Sequence, residues 1–484
     1  MDDYPNRLRA FRLWSSVQVA SLLCLALTSP LLTANAADGQ PQRARGPLRV
    51  SKQNPRYFTD DSGKAVYLTG SHTWNNFQDM GPTDPPQAFD FTGYLDFLER
   101  HHHNFIRLWR WELGTWDTAA NNEKESRVHY CAPHPWVRDR EDKALDGKPK
   151  FDLKTFDENY FKRLRSRLEQ ANRRGIYVSI MLFEGWGLQF VREGWKAHPF
   201  NPANNASGIG TGLDANGKGL PIFTLAHPEI TRLQEAYVRK VVDTVNDLDN
   251  VLYEISNENH PPSTEWQYRF IRFIHFYEKT KPNQHPVGMT FQYEGGANAT
   301  LIASPADWIS PNPKAEKGYD FTSNPPPADG RKVILADTDH LWGIGGDVQW
   351  AWKSFLRGLN PIFMDPYKGE ILTGGPKDRW EPVRIALGHT RRFAERMNLA
   401  AMVPHPELAS TSYCLAQPGV EYLVYQPKPG EAFSVELRAR AYRFEWFDST
   451  KDTAIADGLI EASGGNQQFK VPFERDAILY LKVR

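Results

Sequence analysis

Residues 251–260 read VLYEISNENH, a sequence typical of a buried strand that ends in a carboxylate. Its first half is apolar and rich in β-branched and aromatic residues, over the length of a buried strand. The amphipathic segment 229–249 precedes it and two prolines end it, which predicts a strand that follows a helix. Because side chains alternate along a strand, Glu254 and Glu258 are expected on one face. A carboxylate at the end of a buried strand is costly unless it is paired or used, so Glu258 is a candidate for catalysis or for capping the next helix.

The stretch is one of eight strand-like segments that alternate mostly with helical segments. Such an alternation predicts an α/β fold, a (β/α)8 TIM barrel, whose long loops follow the strand C-termini. A doubly wound open sheet is the alternative, but no glycine-rich phosphate loop follows a strand. The predicted strands are 65–73, 104–112, 176–185, 251–258, 285–293, 306–310, 332–338 and 360–366.

The ends of the chain have different patterns. Residues 1–36 combine arginines, an apolar run and an Ala-x-Ala site, which predicts a signal peptide and a secreted or periplasmic protein with no membrane anchor after cleavage. Residues 37–48 are polar and are expected to be a flexible lead-in. The barrel with an N-terminal hairpin then spans 49–402. Over 403–484, short alternating runs separated by turns predict a small antiparallel β-sandwich that packs on the barrel or binds glycans.

Composition excludes several classes of partner. The formal net charge is zero, so no basic field exists to hold nucleic acid. No Cys/His cluster has metal-ligand spacing and no nucleotide loop occurs, so the sequence predicts neither a metal nor a cofactor. It carries no signal for an oligomeric state. Cys131 and Cys414 remain after the leader, and whether they pair is left open.

Acidic residues stand at the C-terminal ends of several predicted strands, which is the edge where barrels build their active sites. Hydrolysis of a glycosidic bond needs two carboxyl groups, one that protonates the leaving oxygen and one that attacks or activates water. No Gly-x-Ser-x-Gly elbow indicates a different chemistry. The sequence therefore favours a carbohydrate substrate. The strand-end acids are Glu112, Glu184, Glu258, Asp337, Asp339 and Asp365.

The chain resembles the clan A glycoside hydrolases. The similar features are Asn257-Glu258 at the end of the fourth strand, Arg107 on the second, and an acid on the seventh. The opening NPRYFTDDSGKAVYLTGSHTW and the tail EYLVYQP…FSVEL…FEWFD are similar to the apiosidase-like branch, in which such a barrel carries a C-terminal domain linked to collagen binding. The resemblance implies a glycoside hydrolase of the retaining type, with Glu258 as its acid/base.

The seventh strand departs from the clan pattern. It reads VILADTDH and has no Glu, the usual nucleophile of the clan. Asp337 shares a face with Val333 and Leu335, so it stands at the expected position. Asp339, two residues on, is the alternative nucleophile, and one of the two aspartates is expected only to cap a helix or hold the loop.

Further polar and aromatic residues near strand ends are candidates for substrate binding. Glu254 is expected to pair with Arg107 inside the barrel, since a buried charge needs a partner. Tryptophans are candidates because an aromatic face can stack on a sugar ring, with rim packing as the alternative. The candidates for substrate binding are Asn257, Arg107, His72, Trp74, Trp111, Glu184, Trp186, Asp339, His340, Trp342 and Asp365.

Two other functions are compatible with the sequence. The absent glutamate on the seventh strand favours a non-catalytic glycan-binding protein on a glycosidase-like barrel. The tail favours a matrix- or collagen-binding protein that acts through residues 404–484.

Overall fold

The computed structural model describes residues 43–60, 62–117, 128–369, 371–372, 377–449, 451 and 454–484. The predicted signal peptide, residues 1–36, lies outside these ranges. Among the helices within them, none is both long enough and apolar enough to cross a membrane.

Eight parallel strands form the barrel, and all eight lie where the sequence predicts them. From the second strand to the eighth, each strand pairs with the next along the chain, and the eighth also pairs with the first. The ring closes between the first two strands, where the Asn104 N–H donates to the Thr69 carbonyl at 2.9 Å. The strands are β1 (Gly70–His72), β2 (Phe105–Leu108), β3 (Tyr177–Glu184), β4 (Val251–Asn257), β5 (Val287–Thr290), β6 (Trp308–Ser310), β7 (Val333–Asp337) and β8 (Asn360–Met364).

The helices follow the predicted alternation and turn apolar stripes toward the strands. The first begins at a typical cap, because the Asp90 side chain accepts a hydrogen bond from the Gly93 N–H at 2.9 Å. Four short helices within the loops were not expected from the sequence. The helices are α1 (Phe91–Arg100), α2 (Glu158–Arg173), α3 (Trp186–Phe190), α4 (Gly194–Ala197), α5 (Pro228–Val245), α6 (Thr264–Glu278), α7 (Asn298–Ala303), α8 (Thr338–Leu341), α9 (Val348–Leu356) and α10 (Glu381–Arg396).

The described part of the predicted lead-in, residues 43–48, packs against the barrel, so the expected flexibility is wrong there. The Ala44 N–H donates to the Asn172 carbonyl at 2.9 Å, and Leu48 is fully buried. These contacts arise because two apolar residues interrupt the polar run and fill space beneath β3 and β4.

The C-terminal region is an antiparallel β-sandwich, as predicted. A six-stranded sheet in the order β9-β10-β11-β16-β13-β14 lies over a two-stranded sheet of β12 and β15. The larger sheet is buried on both faces, since Leu423 and Tyr425 pack with Trp352 of α9 while Tyr422 and Val424 face the smaller sheet. The strands are β9 (Val403–Pro404), β10 (Cys414–Gln417), β11 (Glu421–Gln426), β12 (Phe433–Leu437), β13 (Arg440–Asp448), β14 (Ala454–Ala462), β15 (Gly465–Phe469) and β16 (Ala477–Val483).

Both cysteines in the part of the chain that the structure describes are unpaired. Cys131 lies in a loop strand above the barrel and Cys414 lies on β10, and both thiols are free and buried. Their burial raises the pKa of each thiol above its usual value, so both are expected to be unreactive.

Candidate active site

One buried guanidinium organises the C-terminal end of the barrel. Arg107 projects from β2 and holds Glu254 of β4 by two hydrogen bonds of 2.8 and 2.6 Å. This fork confirms the predicted pairing of the two residues. The same side chain also donates to Asp337 at 3.0 Å and to Asp339 at 2.9 Å. One cation therefore faces three carboxylates, and the site carries an excess of negative charge.

Asp337, the predicted nucleophile, is saturated with hydrogen-bond donors. Its two oxygens lie 3.0 and 2.8 Å from Nε2 of His72, and one of them also accepts from Arg107. The other accepts the N–H of Asp339 at 3.0 Å, which makes Asp337 the N-cap of α8. Burial alone would raise the pKa of Asp337, but His72 and Arg107 outweigh it and hold the pKa below its usual value. Asp337 is thus a fixed anion whose side chain is 1% exposed.

Asp339 has a freer carboxylate. One of its oxygens accepts from Arg107, and no donor among the residues that the structure describes bonds the other. Burial raises the pKa of Asp339; Arg107 opposes this shift and Asp337 adds to it. Of the two aspartates, Asp339 also acts more strongly on Glu258.

Glu258 stands immediately beyond β4 in an unusual backbone conformation. Its φ is +41°, in the left-handed region that residues with a Cβ rarely adopt. The extended strand ends at Asn257, so the alternation that placed Glu254 and Glu258 on one face stops before Glu258. Backbone strain at a carboxylate in a polar site is the kind of outlier that accompanies function.

The Glu258 carboxyl group is buried and lacks donors. None of the described side chains or N–H groups donates to it, although its backbone carbonyl accepts from Gln189 at 2.7 Å. Burial raises the pKa of Glu258 well above its usual value, Asp339 raises it further, and Arg107 only partly opposes the shift. This shift favours the protonated carboxylic acid.

Glu184, a candidate for substrate binding, caps a helix instead. Its two oxygens accept the N–H groups of Trp186 and Gly187 at 2.7 and 2.8 Å, at the start of α3. Burial raises the pKa of Glu184 to about 8. The hydrogen bond from the Gly187 N–H lowers this pKa, and the charge of Glu112 raises it. Because both oxygens are used and the residue is buried, the expected contact with a sugar hydroxyl is not available.

His72 is also unavailable to substrate, contrary to the prediction. It is 0% exposed, and its Nδ1 accepts the indole N–H of Trp109 at 2.7 Å. An indole can only donate, so the neutral ring carries its proton on Nε2 and donates it to Asp337. Trp109 and the Asp337 carboxylate thus require the same tautomer of His72, with the proton on Nε2.

Replacing Trp109 by Phe is expected to remove the donor to Nδ1 of His72. The variant leaves Nδ1 buried without a donor, which costs about 1–3 kcal/mol of stability. Nitrogen-15 NMR of histidine-labelled protein should show the Nδ1 signal of His72 shifted, because that nitrogen loses its hydrogen bond, while Nε2 keeps its proton and donates it to Asp337. The matched control is Trp111→Phe, because the Trp111 indole donates only to the Trp74 carbonyl, at 3.0 Å. An unchanged His72 spectrum in Trp109→Phe would contradict the assignment.

His340 orients Asn257 rather than a substrate. Its two ring nitrogens lie 2.6 Å from the Ser310 hydroxyl and 3.1 Å from the Asn257 carbonyl oxygen. Burial and the charge of Arg107 hold the pKa of His340 well below its usual value, so the ring is neutral. Arg107 donates to the same Asn257 oxygen at 2.6 Å. Because the Asn257 oxygen already accepts from two donors, the amide NH2 of Asn257 is the group that remains available to bind a ligand.

The tryptophan candidates divide between core and rim. Trp74 and Trp111 are buried in a cluster of indoles, so the prediction that they bind substrate is wrong. They are buried because the long connections after β1 and β2 fold over them. Trp186 is partly exposed and Trp342 is 44% exposed, which leaves both able to contact a ligand.

Asp365 braces the barrel instead of binding a sugar. Its carboxylate pairs with Arg384 of α10 through bonds of 2.8 and 2.5 Å, and it is fully buried. Within the described ranges, no group of three His, Cys, Asp or Glu side chains is arranged to hold a metal ion.

Comparison with solved structures identifies the same architecture elsewhere. A protein described as a glycoside hydrolase matches 90% of this chain and 97% of its own length, at 12% identity and a TM-score of 0.56. A glycoside hydrolase family 5 protein from Bacteroides vulgatus matches 90% of this chain and 93% of its own length, with the same identity and TM-score. The chain shares their fold. No protein-family model and no curated protein matches the sequence.

Proposed function

We propose that the protein is a glycoside hydrolase that cleaves O-glycosidic bonds with Glu258 as its acid/base. The observation that carries this proposal is a buried carboxylic acid, Glu258, which no donor among the described residues bonds and which lies within electrostatic reach of the ionised Asp337 and of Asp339. Acid-assisted displacement at an anomeric carbon requires one carboxyl group that stays protonated and a second that attacks. The shared fold with proteins described as glycoside hydrolases supports the same reaction class.

Glu258 performs the proton transfers. Its neutral carboxyl group donates a proton to the glycosidic oxygen as the bond to the leaving group breaks. The resulting carboxylate then takes a proton from water, which attacks the anomeric carbon and releases the sugar. The unsatisfied oxygens of Glu258 are free to make these contacts, whereas those of Glu254 are held by Arg107.

We assign the nucleophile to Asp339 rather than to Asp337. The strand pattern favours Asp337, but its oxygens already accept from His72, Arg107 and the N–H of Asp339. Attack would have to break one of these bonds in a site that is closed to solvent. Asp339 has an oxygen that no donor among the described residues bonds, and Arg107, which donates to its other oxygen, favours the ionised form against the effect of burial. Asp337 then serves to hold Arg107 and the backbone of Asp339 in place.

Activity is expected to follow a bell-shaped pH profile. It rises as Asp339 ionises and falls as Glu258 loses its proton, so both limbs report carboxyl groups. Burial raises the pKa of both groups, which places the active window higher than ordinary carboxyl groups would. The profile of kcat/KM measures this window. Glu258→Gln should lose the basic limb; a basic limb that persists in this variant would assign it to another group.

Activity on a panel of aryl glycosides and plant polysaccharides tests the proposed function. The mature protein is expected to hydrolyse at least one substrate with retention at the anomeric carbon, which proton NMR of the first-formed product reveals. Binding of a saccharide without hydrolysis would favour a glycan-binding barrel instead. Export of the protein, its place in the apiosidase-like branch and collagen binding by residues 403–484 are further parts of the proposal, and each rests on sequence alone.

A further inference from the structure

Three partly exposed aromatic rings border Glu258. Trp186 and Phe190 begin and end α3, and their ring centres are 5.6 Å apart. The ring of Tyr293, which follows β5, lies 5.2 Å from that of Phe190. We call Trp186, Phe190 and Tyr293 the aromatic strip. All three are partly exposed, unlike the indoles packed beneath them.

A hydrogen bond connects the helix that carries Trp186 and Phe190 to the backbone of Glu258. Gln189 of α3 donates one hydrogen bond to the Glu258 carbonyl at 2.7 Å and another to the Gly185 carbonyl at 3.1 Å. Lys218 lies over the Phe190 ring, with its ammonium 5.3 Å from the ring centre, and donates to the Gln189 carbonyl. The rings therefore stand at a fixed place relative to the acid.

We propose that the aromatic strip is the binding site for the leaving group, and that this group is a sugar ring stacked by its apolar face. The inference rests on the proposed function. The strip follows β3 and β5, on either side of Glu258 at the end of β4, whereas Asp339 follows β7 on another side of the barrel. The acid must reach the glycosidic oxygen, so the leaving group extends from that oxygen toward the acid's side of the site.

The chemistry of the strip fits a sugar ring. Rings that stay partly exposed present apolar area that a pyranose or furanose face can cover, and the phenol of Tyr293 can form hydrogen bonds with its hydroxyls. The Tyr293 phenol is close enough to Glu258 for the charge of the carboxylate to act on it. A leaving group on the strip would thus contact the acid and the rings together.

Phe190→Leu tests the inference with two substrates of the same sugar. One is an oligosaccharide or disaccharide, whose leaving group is a sugar ring, and the other is the glycosyl fluoride, whose leaving group has no ring. The variant is expected to lower kcat/KM for the saccharide about tenfold, mainly through KM, and to leave the fluoride nearly unchanged. Phe276→Leu, at a 70% exposed phenylalanine on the outer helix α6, is the matched control and should match wild type on both.

Equal losses on both substrates, or none on either, would overturn the strip as a leaving-group site while leaving the hydrolase assignment intact. If wild type hydrolyses neither substrate, the proposed function fails. The strip is then judged by titration calorimetry with the disaccharide alone: Phe190→Leu must weaken binding about tenfold relative to Phe276→Leu, and equal affinities overturn the inference.

Discussion

Glu258→Gln is expected to lower kcat/KM for saccharides by about 10²–10⁴-fold, the contribution of a positioned general acid. The amide keeps the shape of the side chain but cannot donate a proton to the leaving oxygen or take one from water. The loss should be smaller for the first step with dinitrophenyl glycosides, whose leaving groups need no proton. Steady-state rates on both substrate types measure the difference.

Azide gives a second readout for the same site. Glu258→Ala leaves space beside the anomeric carbon of a glycosyl-enzyme, where azide attacks without base assistance, so activity on aryl glycosides should recover and yield a glycosyl azide of retained configuration. Glu265→Gln, an exposed change on α6, is the control for handling and folding and should behave as wild type. Near-normal saccharide hydrolysis by Glu258→Gln would remove Glu258 from the mechanism.

Asp339→Asn and Asp337→Asn are expected to separate activity from stability. Asp339→Asn should abolish turnover, by on the order of 10⁴-fold or more, because an amide cannot form the covalent intermediate. It should not destabilise the protein: burial raises the pKa of Asp339, so its ionised form opposes folding and a neutral isostere does not. Thermal unfolding should show a Tm at or above that of wild type.

Asp337→Asn is expected to lose more stability and less activity than Asp339→Asn. The pKa of Asp337 is lowered in the folded protein, so its charge stabilises the fold at any pH above its unfolded pKa of about 4, and acid removes that stability. Breaking its buried pairing with Arg107 and His72 should cost about 3 kcal/mol, while turnover falls by less than in Asp339→Asn. A larger activity loss in Asp337→Asn, with stability unchanged, would return the nucleophile to Asp337.

The barrel could be predicted from the sequence because each strand carries its own apolar run and the runs alternate with amphipathic helices. The pairing of Arg107 with Glu254 was also predictable, since a buried charge on one strand requires an opposite charge on another. Both features follow from the positions of residues along the strands, so they could be predicted without knowing the course of the loops.

The depth of each side chain could not be predicted in the same way. Strand alternation says which residues point inward, but His72 and Trp111 are sealed by connections whose course no local pattern specifies. The role of Asp337 was partly visible, because an aspartate directly before Thr-Asp-His-Leu is a good N-cap. The left-handed turn at Glu258 left no sequence signal, since such a conformation usually calls for glycine. Phe190 was missed because it lies on a short helix within a loop, and Tyr293 because the predicted strand 285–293 runs past the observed end of β5 at Thr290.

A trapped glycosyl-enzyme would show which carboxylate attacks the anomeric carbon. A 2-deoxy-2-fluoroglycosyl fluoride of the accepted sugar should react once with the protein, because the 2-fluorine slows both formation and release of the glycosyl-enzyme, whereas the good fluoride leaving group speeds only its formation. Mass spectrometry of the intact protein should show one added fluoroglycosyl unit, and peptide mapping should place it on Asp339. An adduct on Asp337 or Glu184, or no adduct with a sugar whose glycosides the protein hydrolyses, would contradict the account.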